Sequence, residues 1–202
     1  LVPRLILNGS DVFIAPSGQG NTYINPNGGN VGIGKTSPNY KLDVAGTINA
    51  SGLHIDGDIN ATRNIYYGGN LTGYGADYAE MFEKLNSSEK IGAGDIVAIV
   101  NGKITKTAAD ASLYMVVSEL PALIGNSGKG NVPVAFIGQV MTKVSGKVRE
   151  GDYILAGGSG AGYAKSKRDV SFEEFKSKVV GIALEGKDSK VIGRVNVAVG
   201  VK

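Results

Sequence analysis

The chain has 202 residues, a formal charge of +3, 31 glycines, one histidine, and neither cysteine nor tryptophan. Without thiols there is no disulfide framework and no thiolate nucleophile, and the single His54 does not build a zinc site alone. The slight charge is dispersed, and its densest group (Lys165, Lys167 and Arg168) reads as a solvated loop, so nucleic acid is not an expected partner. No apolar run nears the roughly 18 residues of a spanning helix, so membrane insertion is not expected either.

Leu1-Val2-Pro3-Arg4 reads as a protease-site remnant left by expression, ahead of a fragment of a longer protein. Residues 5–75 share one texture, in which apolar side chains alternate with small polar ones between Gly and Asn. Leu42, Val44 and Ile48 follow one another at strand spacing, and Leu53, Ile55, Ile59, Ile65 and Leu71 continue the pattern. Glycine, about double the roughly 14 that ~7% usage would give, turns the corners. Each short strand carries too little apolar surface to offset its ordering entropy in one copy. Three copies around one axis would bury it together. The expectation is an all-β chain, with an intertwined trimeric stalk (triple-β-helix- or prism-like) over 5–75, in an obligate homotrimer. His54 falls in strand-like sequence and is expected at a surface or interface.

Gly29-Asn30-Val31-Gly32-Ile33-Gly34-Lys35-Thr36 matches the phosphate-loop pattern G-x-x-x-x-G-K-[ST] letter for letter. That loop needs a helix behind it to aim amides at phosphate. Here Ser37-Pro38-Asn39 follows, and Pro38 lacks an amide donor and drives Ser37 out of the helical region. No nucleotide and no other cofactor is expected.

Residues 76–202 read as a globular β domain. Strands are expected at 95–100, 103–107, 114–118, 132–136, 139–144, 152–155, 179–183 and 193–199, rich in β-branched residues and parted by Gly-bearing turns. Asn101-Gly102 suits a type I′ hairpin. The spacing predicts one helix over 171–178, capped by Ser171 with Glu174 completing a capping box. Phe172 and Phe175 would share a face and plug one end of the β core.

The junction reads Gly73-Tyr74-Gly75-Ala76-Asp77-Tyr78-Ala79-Glu80-Met81-Phe82-Glu83. Asp77, Glu80 and Glu83 come at intervals of three. In a helical turn they would share a face, and as irregular chain they could converge on one peptide bond. Paired carboxyls with split pKa values can act as acid and base. The bland alternative is a surface turn with hydrated carboxylates.

Asn30-Val31-Gly32-Ile33-Gly34, Thr36-Ser37-Pro38 and Lys41-Leu42-Asp43-Val44 resemble a segment common in phage fibres and bacterial surface proteins. Ala76-Asp77-Tyr78-Ala79-Glu80-Met81-Phe82-Glu83, with Ala93-Gly94-Asp95-Ile96-Val97, Pro121-Ala122-Leu123-Ile124-Gly125-Asn126, Gly138-Gln139-Val140, Glu150-Gly151-Asp152-Tyr153 and Val180-Gly181-Ile182-Ala183-Leu184 in that order, resembles a phage C-terminal domain. This is the self-cleaving intramolecular chaperone domain, of glutamic-peptidase type, found in neck-appendage, tail-spike and tail-fibre proteins. The resemblance implies a virion protein whose domain folds and trimerises a spike. The domain then cuts its own chain before the Asp of the Asp-Tyr-x-Glu segment. That is the Ala76–Asp77 bond, with Asp77 and Glu80 acting on it and Glu83 helping, in cis and without turnover.

Ser commonly precedes that Asp in the family, where this chain has Ala76. If a hydroxyl takes part, Ala76 abolishes the cut; if carboxylates alone activate a water, it is tolerable; or Ala76 is a deliberate block. The alternative function is a non-cleaving tip that binds host-surface polysaccharide, with Tyr74, Tyr78, Tyr114, Tyr153 and Tyr163 as stacking faces. An independent soluble enzyme has no nucleophile-elbow motif to support it, and the lone His argues against a Ser-His triad.

Overall fold

The computed structural model describes residues 24, 28–69, 72–107, 111, 113–128 and 130–200. The remnant reading of residues 1–4 and the expected apolar position Leu71 lie outside the described residues. The described chain is almost wholly β, with twelve strands and one short helix. It falls into two units, up to residue 65 and from 66 onward.

Among its described residues the upstream unit holds two strands, β1 (Val31–Ile33) and β2 (Leu42–Val44), paired in parallel with Val31 opposite Leu42 and Ile33 opposite Val44. Asn39 and Lys35 tie the connecting turn to Asp43. From Ala45 to Ile65 no residue lies in a strand, although Ile48, Leu53, Ile55 and Ile59 keep strand spacing. These side chains stand in solvent, with Leu53 74% and Ile59 66% exposed. His54 is exposed there, on irregular chain rather than on a strand. A strand needs a hydrogen-bonded neighbour, and this stretch has none among the described residues of the single chain.

The second unit contains β3 (Asp77–Phe82), β4 (Ile96–Val100), β5 (Lys103–Thr105), β6 (Tyr114–Val117), β7 (Leu123–Gly125), β8 (Val132–Ser145), β9 (Tyr153–Ala156), β10 (Gly162–Lys165), α1 (Phe172–Ser177), β11 (Val179–Ala183) and β12 (Gly193–Val199). β8, β12, β11, β9 and β10 pair in a closed ring, because β10 returns to β8 at Val144 and Ser145. The ring surrounds a core of Val140, Val144, Ile154, Val195 and Val197. The N-terminal half of β8 runs between β3 and β6, and a second core forms there from Val97, Ile104, Val117, Val132 and Val134. Neighbours on one strand thus serve different cores, as Ile96 and Val97 do. A strand buried on both faces reads as an unbroken apolar run, as in Ile96-Val97-Ala98-Ile99-Val100. Ile154 is fully buried, so Ile154→Ala is expected to cost about 2–5 kcal/mol in urea unfolding. A loss under 1 kcal/mol would mean that the ring is not the stability centre.

Three expectations are corrected. The strands expected at 132–136 and 139–144 are one strand of 14 residues, β8. It continues through Gly138 because its two halves have different partners. The helix has its capping box, with Ser171 Oγ accepting from the Glu174 amide and Glu174 from the Ser171 amide. It is not a plug, however, since none of its residues is buried. Phe172 stays exposed, and Phe175 meets Tyr153 edge-on at 5.5 Å outside the ring. Finally, Asp77–Phe82 of the junction are neither helical turn nor irregular chain but the strand β3, held between β7 and β8. The Asn101-Gly102 turn has positive φ at both residues, as a type I′ hairpin requires.

Candidate functional site

The site starts from the backbone around Ala76. Ala76 is exposed and Asp77, the first residue of β3, is buried. The Ala76 carbonyl accepts from the Gln139 amide at 3.1 Å, and the Asp77 carbonyl from the Ala122 amide at 2.8 Å. Close approach makes this possible. A Cβ on Gly138, where φ is +127°, would stand 2.3 Å from the Ala76 oxygen and 2.6 Å from Asp77 Cα. A Cβ on Gly75 would stand 2.2 Å from the Leu120 carbonyl oxygen. The glycine before the junction therefore serves close packing against 120–122.

The Asp77 side chain turns inward. Its Oδ1 accepts from the Ser118 hydroxyl at 2.9 Å, and both residues are buried. Its Oδ2 is buried with no hydrogen-bond partner among the described residues. Burial pushes the carboxyl above its usual range, and donation from Ser118 opposes part of that rise. An open cleft of about 540 Å³ adjoins this buried pair, lined by Tyr74, Ala76, Asp77, Ser118, Glu119 and Gln139. Glu119 is paired with Arg194 at its rim.

The other two expected carboxylates are elsewhere. Side chains on a strand alternate between faces with a period of two. Residues three apart, as Asp77 and Glu80 are, therefore point to opposite sides. Glu80 is half-buried and accepts from the Tyr78 hydroxyl at 2.8 Å, a contact that pushes the Tyr78 phenol up. Glu83 lies just past the strand, exposed, 2.8 Å from Lys103. It lines a separate cleft of about 550 Å³ with Lys84, Lys103 and Asn131. The chain does not bring Asp77, Glu80 and Glu83 together on one bond. What it does place at the bond are Ser118 and the Gly138–Gln139 backbone. Gly138-Gln139 carried a signal as part of a resembling segment, but Ser118 carried none.

The phosphate-loop pattern is spent on local structure. Its centre is β1, no helix follows, and Lys35 Nζ is 2.7 Å from Asp43 Oδ2. Lys35, then the Asn39 amide, hold the Asp43 carboxyl below its usual range. Of the five candidate sugar-stacking tyrosines only Tyr74 is exposed; Tyr78, Tyr114, Tyr153 and Tyr163 are half-buried in the sheet. Among the described residues no cluster of three or more His, Asp or Glu is arranged to hold a metal. No protein-family model matches the chain, and none of the curated proteins matches it.

Proposed function

We propose that this chain is the distal part of a trimeric tail fibre or spike of phage type, working on the outside of the virion. Its C-terminal β domain assists folding and trimerisation and cuts the chain once, at Ala76–Asp77. The carrying observation is the held peptide itself. The Ala76 carbonyl rests on the Gln139 amide, with a buried, half-satisfied Asp77 carboxyl on the next residue. The reaction is hydrolysis. Ionised Asp77 takes a proton from water, and the water oxygen bonds to the Ala76 carbonyl carbon. The developing oxyanion is held by the Gln139 N–H. The C–N bond then breaks as the proton passes to the Asp77 nitrogen, leaving an Ala76 carboxylate and an Asp77 amine. No hydroxyl at position 76 is needed for these steps, so Ala76 is compatible with the cut.

The trimer is supported by the upstream unit. Ile48, Leu53, Ile55, Ile59 and Ile65 are all exposed in the single chain, and each would contribute about 1.5–3 kcal/mol if buried. Sedimentation equilibrium is expected to give three times the chain mass. Leu53→Ser with Ile59→Ser is expected to shift the distribution to monomer at micromolar concentration. A monomeric parent chain would overturn the trimer.

Intact mass of the purified protein, before and after prolonged incubation and beside Ala76→Ser, tests the cut. The expected product begins at Asp77 in both proteins. If neither is ever cut, the self-cleavage reading is wrong. A permanent tip binding host polysaccharide is then the second reading, favoured by the exposed rings of Tyr67 and Tyr74.

A further inference from the structure

We infer that Ser118 is a positioning residue for the cut, holding the Asp77 carboxyl so that one oxygen alone is left to act on water. This rests on the self-cleavage reading. Ser118 is fixed before it acts, because its amide donates to the Pro133 carbonyl at 2.9 Å at the end of β6 and the residue is 3% exposed. Its hydroxyl donates to Asp77 Oδ1 at 2.9 Å, across 41 residues of sequence. That bond occupies Oδ1 and fixes the carboxyl plane. Oδ2 is buried and has no hydrogen-bond partner among the described residues, so it is the carboxyl oxygen left unsatisfied. A carboxylate free to rotate would present either oxygen in many directions, and general-base catalysis depends on placement first.

The hydroxyl also biases protonation. Donation to a carboxylate favours its charged form, so Ser118 lowers the pH at which Asp77 becomes a base, against the effect of burial. Among the described residues, the other titratable groups lining the cleft are Tyr74 and Glu119, the latter in an ion pair with Arg194. Tyr78 and Glu80 occupy the opposite strand face, and β8 contributes only Gly138, Gln139, Val140 and Met141. One acidic limb, belonging to Asp77, is therefore expected in the rate.

The experiment is the pH dependence of the first-order cutting rate in the full chain, read by intact mass, for the parent, Ser118→Ala and Ser118→Thr. Ser118→Ala is expected to cut about 10- to 100-fold more slowly at neutral pH, with its acidic limb moved to higher pH. Ser118→Thr is expected to recover most of the rate and the original limb. Carbon NMR of the Asp77 carboxyl in an uncut sample should show the same upward move in Ser118→Ala. If circular dichroism shows that Ser118→Ala does not fold, Ser118→Cys takes its place, and its weak S–H donor predicts an intermediate rate and limb. A substituted chain with the parent's rate and limb overturns the positioning role alone, as does Ser118→Thr cutting no better than Ser118→Ala. A parent that never cuts overturns the self-cleavage reading, and this role with it.

Discussion

Asp77→Asn is expected to remove the cut before residue 77 and, at neutral pH, to make the β domain more stable. The rate should fall by about 10²–10⁴, the usual contribution of a placed general base, because an amide does not take a proton from water. The stability gain follows from the site's burial. Asp77 is 5% exposed, and its one hydrogen bond leaves Oδ2 unsatisfied. Such a group costs about 1–3 kcal/mol, and more when charged. Burial raises this carboxyl on folding, so the native state binds its proton more tightly than the unfolded chain does. Stability from this group is therefore greatest in acid and falls as pH rises above the unfolded value of about 3.9. Urea unfolding at pH 7 should favour Asp77→Asn by about 1 kcal/mol, and the advantage should shrink towards pH 4. A variant that cuts normally, or one weaker than the parent at every pH, would show that Asp77 is a structural group rather than the base.

Gly138→Ala is expected to be among the most damaging single methyls in the domain. The new Cβ would sit 2.3 Å from the Ala76 oxygen and 2.6 Å from Asp77 Cα, both backbone positions, at a φ of +127°. Strained backbone alone costs about 1–3 kcal/mol, and here β3 must also move away from β8. We expect a loss of about 3 kcal/mol or more, and no cut even where the protein still folds, because the Ala76 carbonyl leaves the Gln139 amide. Gly146→Ala separates the two causes, since Gly146 also has positive φ, at +79°, but faces open space. Its cost should stay near about 1–2 kcal/mol. Equal denaturation midpoints for the two variants would show that the close approach at Gly138 is not what holds β3.

Much of the β domain was legible in the sequence. β11 and β12 run over the residues their β-branched pattern marks, 179–183 and 193–199. Ser171 and Glu174 form their capping box, and Asn101-Gly102 turns its hairpin. β3, β7 and β10 escaped. β7 has only three residues, and β10 has four, two of them Gly162 and Ala164. β3 carries two acidic residues whose spacing reads as a helical turn or as irregular chain. Asp77 and Glu80 part because a three-residue interval joins a face in a helix and separates faces in a strand, while Glu83 lies past the end of β3.

The sequence by itself determined the all-β character, the turns, the helix cap and the two textures on either side of the junction. It also disqualified the phosphate-loop pattern, because Pro38 forbids the helix that pattern needs. These features depend on residues close together in the chain, where φ preference, side-chain period and capping act directly. Only the tertiary structure decided that Asp77 is buried, that Ser118 reaches it from 41 positions away, and that the Gln139 amide holds the Ala76 carbonyl. Those contacts depend on the pairing of β3 with β8 and on a glycine that lets two backbones touch. Register between distant strands is a property of the whole sheet, which no local pattern records.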